Sequence, residues 1–560
     1  MALFEKVVSG RDPASAAPSA APMAAASPGS PYEGADRMNL ELARWNPPLL
    51  SADAEILDSK DTLDARGREV ARNDPLISNA VEMYKDGVVG TKFVLNSKPD
   101  GRFLGWDDQT VEEVQEEIES LFEVYAHSSR CHLDASRRMD LTDIIRMGTG
   151  SYITTGEFLA TFEWMPDRPF STVVQVIDPD RLSNPDFAMD TYGLRRGVER
   201  DGCGQPIAYH IRTSHPSDFW QGGDGLGRWK RVAAHKPWGR PMVLHVYDPL
   251  RADQTRGIAR IVSVLRQTKM TSRFSDVALQ NAVIQATIAA VIESEKHPDE
   301  LYAQLAGDPG ADMTSVHRAH ALGHLNSVLD FERSGNVARL NNARIPHLYP
   351  GTKLNIQALG DGTLGTQFES SLIRKIAAGL GVSAEELSKN LSETSFAGVK
   401  AAMAQTFQAY KSVKRTIADR IANGIYQNWL EEVVNSRELT TLPASARVPG
   451  WVYSNRGRVL DALATATWIG ASKGTIDEYN EMRAAKMRLE LGITTKEYES
   501  ARLGHDWRDV QKQLRREARY LGGPAAINPA PASGATAAID YTEDRLAAVE
   551  EFVERTQNDA

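Results

Sequence analysis

Phe368-Glu369-Ser370-Ser371-Leu372-Ile373-Arg374-Lys375-Ile376-Ala377-Ala378-Gly379-Leu380-Gly381 opens the most strongly patterned stretch of this chain, Thr363 to Asn435. Phe368, Leu372, Ile376 and Leu380 recur every four residues, and Ile373 and Ala377 fill the flank, so the segment predicts a helix with one apolar stripe. Gly381 stands where a helix stops, because glycine takes the left-handed cap without a Cβ clash. Val382 to Gly398 is polar, with Ser383, Ser388, Asn390, Ser392 and Ser395. From Val399 a second stripe follows: Met403, Phe407, Tyr410, Val413, Ile417, Ile421, Ile425, Trp429 and Val433, with no proline. At 1.5 Å per residue such a helix spans on the order of 50 Å. Its apolar face needs either a large body or neighbouring copies of the chain to cover it.

On the N-terminal side lies another long helical pattern, Ile258 to Ser294. Ile261, Val264, Leu265, Phe274, Val277 and Ile284 form its apolar side, while Arg266, Lys269 and Arg273 share one face near its start. Those three read either as a solvated charged face or as a basic band near DNA or a neighbouring subunit. His297-Pro298 breaks the helix, and the chain then reads as irregular and turn-rich up to Tyr349-Pro350-Gly351. His317, His320 and His324 in this part have the spacing of one helix face, but no cysteine accompanies them and no metal site is assigned.

Residues 1–49 include an Ala/Pro/Ser/Gly-rich run that cannot bury enough apolar surface to offset its entropy, and they read as a disordered tail. Leu50 to Gly90 predicts two helices, with Asp74-Pro75 as N-cap and first helical residue, and Gly87 closing the second. Arg66, Arg68 and Arg72 cluster on the first, as a solvated face or a partner contact. Glu112–Phe122 and Asp140–Gly148 are further helices. From Tyr152 the pattern becomes strand-like: Phe158–Trp164, Thr172–Ile177, Ile207–Ile211 and Met242–Tyr247 are rich in β-branched and aromatic residues. His210 and His245, on separate strands, read as satisfied core or edge residues, and Asp178 and Asp180, either side of Pro179, as turn formers. After Pro443 the pattern is helical again, with Trp451, Trp468 and the run Ile476–Leu491. Gln511–Tyr520 is a basic helix with Arg515, Arg516 and Arg519. Gly522–Gly534 is a Pro/Ala/Gly linker, and Asp540–Thr556 a final acidic helix.

The 560 residues are too many for one core. With 64 Lys and Arg against 74 Asp and Glu, the net charge is -10. That balance argues against a protein that grips nucleic acid through a broadly basic surface, and leaves open a wall past which DNA slides. The two cysteines, Cys131 and Cys203, are far apart and point to a reducing compartment without disulfides. The longest near-apolar run, Ala282 to Ile292, is too short to cross a bilayer, and no secretory signal is read at the N-terminus, so no membrane partner is expected. Gly470-Ala471-Ser472-Lys473-Gly474-Thr475 lacks the spacing of a phosphate-binding loop, and no H-E-x-x-H or C-x-x-C motif occurs.

Leu372–Val382 followed by Leu391–Ala402 resembles the portal proteins of tailed phages, in their lambda-like family. Gly398-Val399-Lys400 stands where that family usually has Ser-x-Arg, so the arginine's role passes to Lys400. Further matching tokens fall in family order: Arg66, Arg72, Asn73, Pro75, Gly87 and Gly90; Asp178–Leu182; Gly197–Asp201; Ala208-Tyr209-His210; Leu244-His245; Gln254–Gly257; Gly492–Glu497; Gly504–Trp507. The resemblance covers roughly Leu50 to Tyr520, with gaps, and is most diverged after Pro443.

What the resemblance implies is an α+β portal fold that forms rings. Its parts would be a wing at 50–257, a stem helix at 258–296, a clip at 297–362, a second stem helix at 363–382, a tunnel loop at 383–398, a long wing helix at 399–437, a helical crown at 438–521, and a linker with a terminal acidic helix at 522–560. About twelve copies would surround a DNA channel at one capsid vertex of the virion, after assembly in the host cytoplasm. Implied partners are double-stranded DNA held non-specifically, the terminase large subunit, a major capsid or scaffold protein, and head-tail connector proteins. No catalytic residue, cofactor or metal is implied. The channel residues would be Lys389, Asn390, Ser392 and Lys400, with Arg266, Lys269 and Arg273 as a basic stem face; the clip would dock the motor. The alternatives are an enzyme acting on nucleic acid, such as a nuclease or packaging ATPase whose metal ligands are scattered among the many acidic residues, and another capsid or scaffold component.

Overall fold

The computed structural model describes residues 32–36, 41, 42, 44–218, 228–287, 323, 337–340, 343–346, 363–392, 395–474 and 477–520. The chain divides into two units, Met1–Ile476 and Asp477–Ala560. Both helix and sheet are present, as the sequence patterns require, and no helix among the described residues is long and apolar enough to cross a membrane.

The first unit begins with three helices, Ala52–Ile56, Lys60–Asn73 and Pro75–Val88. Asp74 caps the third by accepting from the N–H groups of Leu76 and Ile77, with Pro75 in the first helical position. The helix does not close at Gly87. It runs on to Val88, and Gly90 takes the left-handed conformation (φ +75°). Gly87 is small for another reason: a Cβ there would sit 2.3 Å from the ring of Tyr410. The helices Asp108–Ala126 and Leu141–Thr154 follow, the latter opened by an Asp140–Asp143 capping box.

Eleven strands are described, all paired antiparallel. Strand β1 (Val94–Ser97) precedes the sheet region proper, which holds β2 (Glu157–Trp164), β3 (Thr172–Ile177), β4 (Leu194–Arg195), β5 (Val198–Arg200), β6 (Pro206–Arg212), β7 (Trp229–Ala233) and β8 (Val243–Tyr247). They form a three-stranded sheet in the order β3-β2-β8 and a four-stranded meander β4-β5-β6-β7. Leu159, Ile177, Leu182, Val198, Tyr209, Ile211 and Val243 make a small core of their own. Between 297 and 362, where the sequence reads as irregular, β9 (Val337–Leu340) and β10 (Ala343–Pro346) form a hairpin; alternation over four residues is too short to stand out. His317, His320 and His324 lie outside the described residues. Strand β11 (Ala466–Ile469) returns to pair with β1.

The long helix is the spine of the core. It starts at Phe396, three residues earlier than the apolar stripe suggests, because Ser395 caps it and Gly398 is tolerated within its first turn. It runs to Val413, passes through a π turn at Lys414–Ala418, and continues as Asp419–Ser436. Tyr410, Val413, Ile417, Ile421, Ile425, Trp429 and Val433 are all buried. Around Trp429 gather Phe122, Tyr125, Phe170 and Tyr426, with ring centroids 5.0–6.1 Å away. The body of one chain therefore covers this half of the stripe. Val452, Leu463 and Trp468 join the same core. The segment from 438 to 469 thus packs with the first unit, which ends at Ile476.

The second unit holds three described helices, Glu478–Glu490, Lys496–Arg502 and Trp507–Tyr520. Glu499 ties the second to the first through Arg488, at 3.0 Å, and pairs with Arg502 of its own helix, at 2.9 Å.

Candidate nucleic-acid interface and its anchor

Two long helices of the first unit run side by side. Residues Arg260–Val264 form a 3₁₀ turn, and the helix proper is Leu265–Thr287; the apolar stripe that begins at Ile261 hides this tighter start. Its partner is Thr363–Leu380. Phe274 and Phe368 meet with ring centroids 5.4 Å apart, and a Cβ on Gly379 would come within 2.4 Å of Val264 Cγ1, so the two backbones approach closely there.

The base of this pair is fixed by a buried charge cluster. Glu157, the first residue of β2, is fully buried and accepts from Arg256, from His245 Nε2 (3.0 Å) and from the N–H of Gly257 (3.1 Å). Lys60 lies 3.2 Å from the same carboxylate and 2.9 Å from Asp64, and donates to the carbonyls of Thr155 and Gly257. The Arg256 guanidinium also donates to the carbonyls of Pro179, Leu182 and Arg196. Nearly every polar atom that burial takes from water has found a partner, which is what makes buried charge tolerable. Burial pushes Glu157 up, but the charges of Arg256 and Lys60 outweigh it and hold the carboxyl well below the usual range. For Asp64 burial wins over Lys60, and its pKa rises to about 6. Burial also lowers His245 despite the Glu157 carboxylate beside it. His245 is therefore a core histidine, as its sequence position suggests. A Cβ on Gly257 would fall 2.1 Å from the carbonyl oxygen of Gly156, so this crossing requires glycine. Just before it, Asp53 accepts from the N–H and hydroxyl of Thr255.

The two helix bases are also tied to each other. Arg260 Nε donates to the carbonyl of Leu380 (2.9 Å), as does the Tyr84 hydroxyl (2.5 Å), and the guanidinium lies over the Tyr84 ring. A cation thus meets the negative end of the helix Thr363–Leu380. Gly381 then turns the chain with φ +76°.

The expected loop 383–398 is partly helical. Ser383 caps a short helix, Ala384–Ser388, and its N–H donates to Thr406 Oγ1; Asn79 donates to the carbonyl of Leu387 at 2.9 Å. Beyond this the chain is exposed. Lys389 has left-handed backbone (φ +56°), and Asn390 Oδ1 accepts from the N–H and hydroxyl of Ser392, closing a small turn. Leu391 and Phe396 are 54% and 62% exposed. Lys400, one turn into the long helix, is half-buried. The structure therefore brings Lys389, Asn390 and Ser392 together on one exposed turn, with Lys400 on the helix behind it.

The basic trio behaves differently. Arg266 and Arg273 are exposed and make no ion pair among the described residues, while Lys269 pairs with Glu69 at 3.1 Å. Arg68 is not a solvated charge: it binds Asp180 bidentately. Burial raises Asp180, but Arg68 outweighs it and lowers the carboxyl. Asp178, which caps the turn at Pro179, Asp180 and His215 have ligand atoms within 4.8 Å of one another, with the Arg68 guanidinium already on Asp180. Gly470-Ala471-Ser472-Lys473-Gly474 spells G-x-S-x-G, after β11, and no described residue hydrogen-bonds Ser472. Sequence reasoning missed Glu157, Lys60 and Asp64, whose burial no local pattern announces; the Asp178–Leu182, Leu244-His245 and Gln254–Gly257 motifs were the visible signs of the cluster.

The family model described as phage portal protein, lambda family, matches residues 39–414. The portal protein of Escherichia phage N15 is 34% identical over 502 residues, covering 89% of this chain and 91% of the relative. Portal protein B of Escherichia phage lambda is 31% identical over 499 residues, covering 88% and 90%. A chain from the neck of an empty gene transfer agent particle, computed with C6 symmetry, is similar over 81% of this chain and 97% of its own length, at 13% identity and a TM-score of 0.40. That last likeness is too slight to inform the assembly.

Proposed function

The chain belongs to the lambda family of phage portal proteins, and on that footing we propose that about twelve copies close into a ring at one vertex of the virion capsid, around a channel for double-stranded DNA. The observation that carries the channel assignment is the pairing of a fixed base with an exposed polar turn. Leu380 and Leu387 are tied down by Arg260, Tyr84 and Asn79, and the turn Lys389–Ser392 projects from them. In this reading Thr363–Leu380 and the helix from Leu265 are the stem, residues 297–362 the clip that docks the terminase large subunit, and the turn faces DNA. Lys389 and Lys400 then touch phosphates singly and weakly, which suits passage rather than grip. The net charge of -10 supports the same picture. The first unit would supply the wing, the second the crown, and head-tail connector proteins would follow the motor. The role is structural, with chemistry left to the motor.

Imaging of the purified protein together with its mass in solution tests this. Rings with a central hole and a mass near twelve subunits are expected. A stable monomer with nuclease or ATPase activity would overturn the reading.

A further inference from the structure

The C-terminal end of β2 opens on a groove of about 670 Å³ beside the last turns of the long helix. Trp164 and Trp238 line it at 59% and 53% exposure, yet both are held in place. Trp238 Nε1 donates to Glu431 (3.0 Å). Arg240 donates to the same carboxylate (3.2 Å), and its guanidinium lies 5.6 Å from the Trp164 ring centre. The Tyr453 hydroxyl donates to Glu431 as well, and that carboxylate is buried. Two large aromatic surfaces left in water but already fixed mark a docking surface, because binding there costs little further side-chain entropy. Four glutamates line the groove against Lys236 and Arg240, and of these Glu163 and Glu438 keep contact with solvent.

The first unit also carries an exposed run with the chemistry to fill this groove. Arg44-Trp45-Asn46-Pro47-Pro48-Leu49 is exposed at every residue and has no regular structure from Trp45 on. Trp45 is 69% and Leu49 70% exposed. Two prolines in a row set an extended polyproline course and confine Asn46 to extended backbone as well. Such segments dock on aromatic-lined grooves, since little of their freedom is left to lose. Arg44 supplies the charge that complements Glu163 and Glu438. Residues 522–533, also rich in proline, have neither a charge nor an aromatic ring.

The run does not reach the groove of its own chain. It is rooted where Arg251 donates to the carbonyl of Leu50 (3.0 Å) and pairs with Glu55 (2.6 Å). Arg251 follows β8, whose Tyr247 pairs with Glu157 at the start of β2, whereas the groove lies at the other end, at Trp164. The 8 residues of β2 separate the two by about 23 Å, and Trp45–Leu49 extends only about 16 Å. We propose that Trp45–Leu49 of one copy seats in the Trp164–Trp238 groove of the next, with Arg44 toward Glu163 and Glu438. An arm at one end of the fold and its socket at the other make a head-to-tail contact, the kind that closes rings. The contact rests on the ring of the proposed function and names what joins its copies.

A labelled peptide of residues 41–52, added to the full chain carrying Trp45→Ala, Pro47→Ala and Leu49→Ala, tests it by fluorescence anisotropy. The peptide binds this variant saturably, and more tightly than the parent, whose grooves the neighbouring arms fill. Adding Trp164→Ala and Trp238→Ala weakens binding about tenfold or more. Circular dichroism stays that of the parent, since both side chains are more than half exposed. Binding that ignores the two tryptophans overturns the proposal, as does no binding by the folded arm variant. A peptide of residues 522–533 bound as tightly as 41–52 overturns the choice of occupant. Mass in solution, read on the same samples, separates the two readings. A ring whose grooves reject the peptide sinks this contact alone, whereas a monomeric parent sinks the ring and the seating between copies together.

Discussion

Gln254–Ile258 and Lys389–Ser392 are both short connections without regular structure, and both lead toward a long helix. In the first, Gln254, Thr255 and Arg256 are buried; Gln254 bonds its neighbours Leu250 and Arg256, while Thr255, Arg256 and Gly257 meet partners from distant parts of the chain, among them Asp53, Lys60, Glu157, Leu182 and Arg196. In the second, the hydrogen bonds of the turn are made within itself, Asn390 to Ser392, and its side chains face water. The contrast separates two jobs that irregular backbone can do. One connection sets the angle at which a helix leaves the body. The other presents side chains and is held only at its base.

The contrast is broken most severely at Arg256. Arg256→Ala leaves the Glu157 carboxylate buried without its main counter-charge, which costs about 3–5 kcal/mol. The variant should show a large drop in the denaturant midpoint, or no soluble protein. Replacing both partners, Glu157→Leu with Arg256→Met, should recover part of the loss, because the expense lies in the orphaned charge rather than in the missing pair. Equal losses in the single and double variants would mean that the carbonyls of Pro179, Leu182 and Arg196, not the carboxylate, are what Arg256 serves.

This asymmetry also decides how much could be read from the sequence. The stripe Tyr410–Val433, the cap at Asp74, the stop at Gly381 and the strands β2, β3, β6 and β8 follow from local pattern, and they stand as expected within a few residues. What stayed hidden was whatever depends on distant partners. Lys60 and Asp64 sit on a helix among other charged residues, and only their meeting with Glu157, some ninety positions on, makes them core. Strands β1 and β11 are four residues each and acquire meaning only by pairing with one another. For the turn the reverse holds: Val382–Gly398 reads as polar because an exposed turn depends on its own residues, while the choice of Lys389, Asn390 and Ser392 rests on the family resemblance.

A finer test uses pH. The folded pKa of Asp64, about 6, lies above its ordinary 3.8, so the folded chain binds this proton the more readily. That contribution to stability is complete below pH 3.8 and is lost as pH rises through 6. Asp64→Asn removes the dependence. The melting temperature of the variant, relative to the parent, should therefore rise between pH 5 and pH 7, by the equivalent of about 1 kcal/mol. A difference that stays flat over that window would mean that Lys60, 2.9 Å away, keeps Asp64 ionised throughout. Glu157 and His245 do not confound the comparison, since both variants retain them.

The smallest effect on stability belongs to Lys389, and there the comparison can be made sharpest. Its φ of +56° is one that glycine adopts freely and alanine does not. Lys389→Gly and Lys389→Ala both remove the charge; alanine keeps the Cβ strain that the lysine already bears, and glycine relieves it. Glycine should leave stability unchanged or raise it by up to about 1 kcal/mol, and alanine should stay close to the parent. DNA packaged per particle then separates charge from conformation. If the lysine meets phosphates in the channel, the two variants lose packaging alike and the loss shifts with salt, since each phosphate contact contributes to the salt slope. If packaging instead survives in the alanine variant and fails in the glycine one, the backbone of the turn matters and its charge does not. Either result leaves stability nearly untouched, which is what distinguishes a surface that presents residues from the anchor at Arg256, where no substitution can be silent.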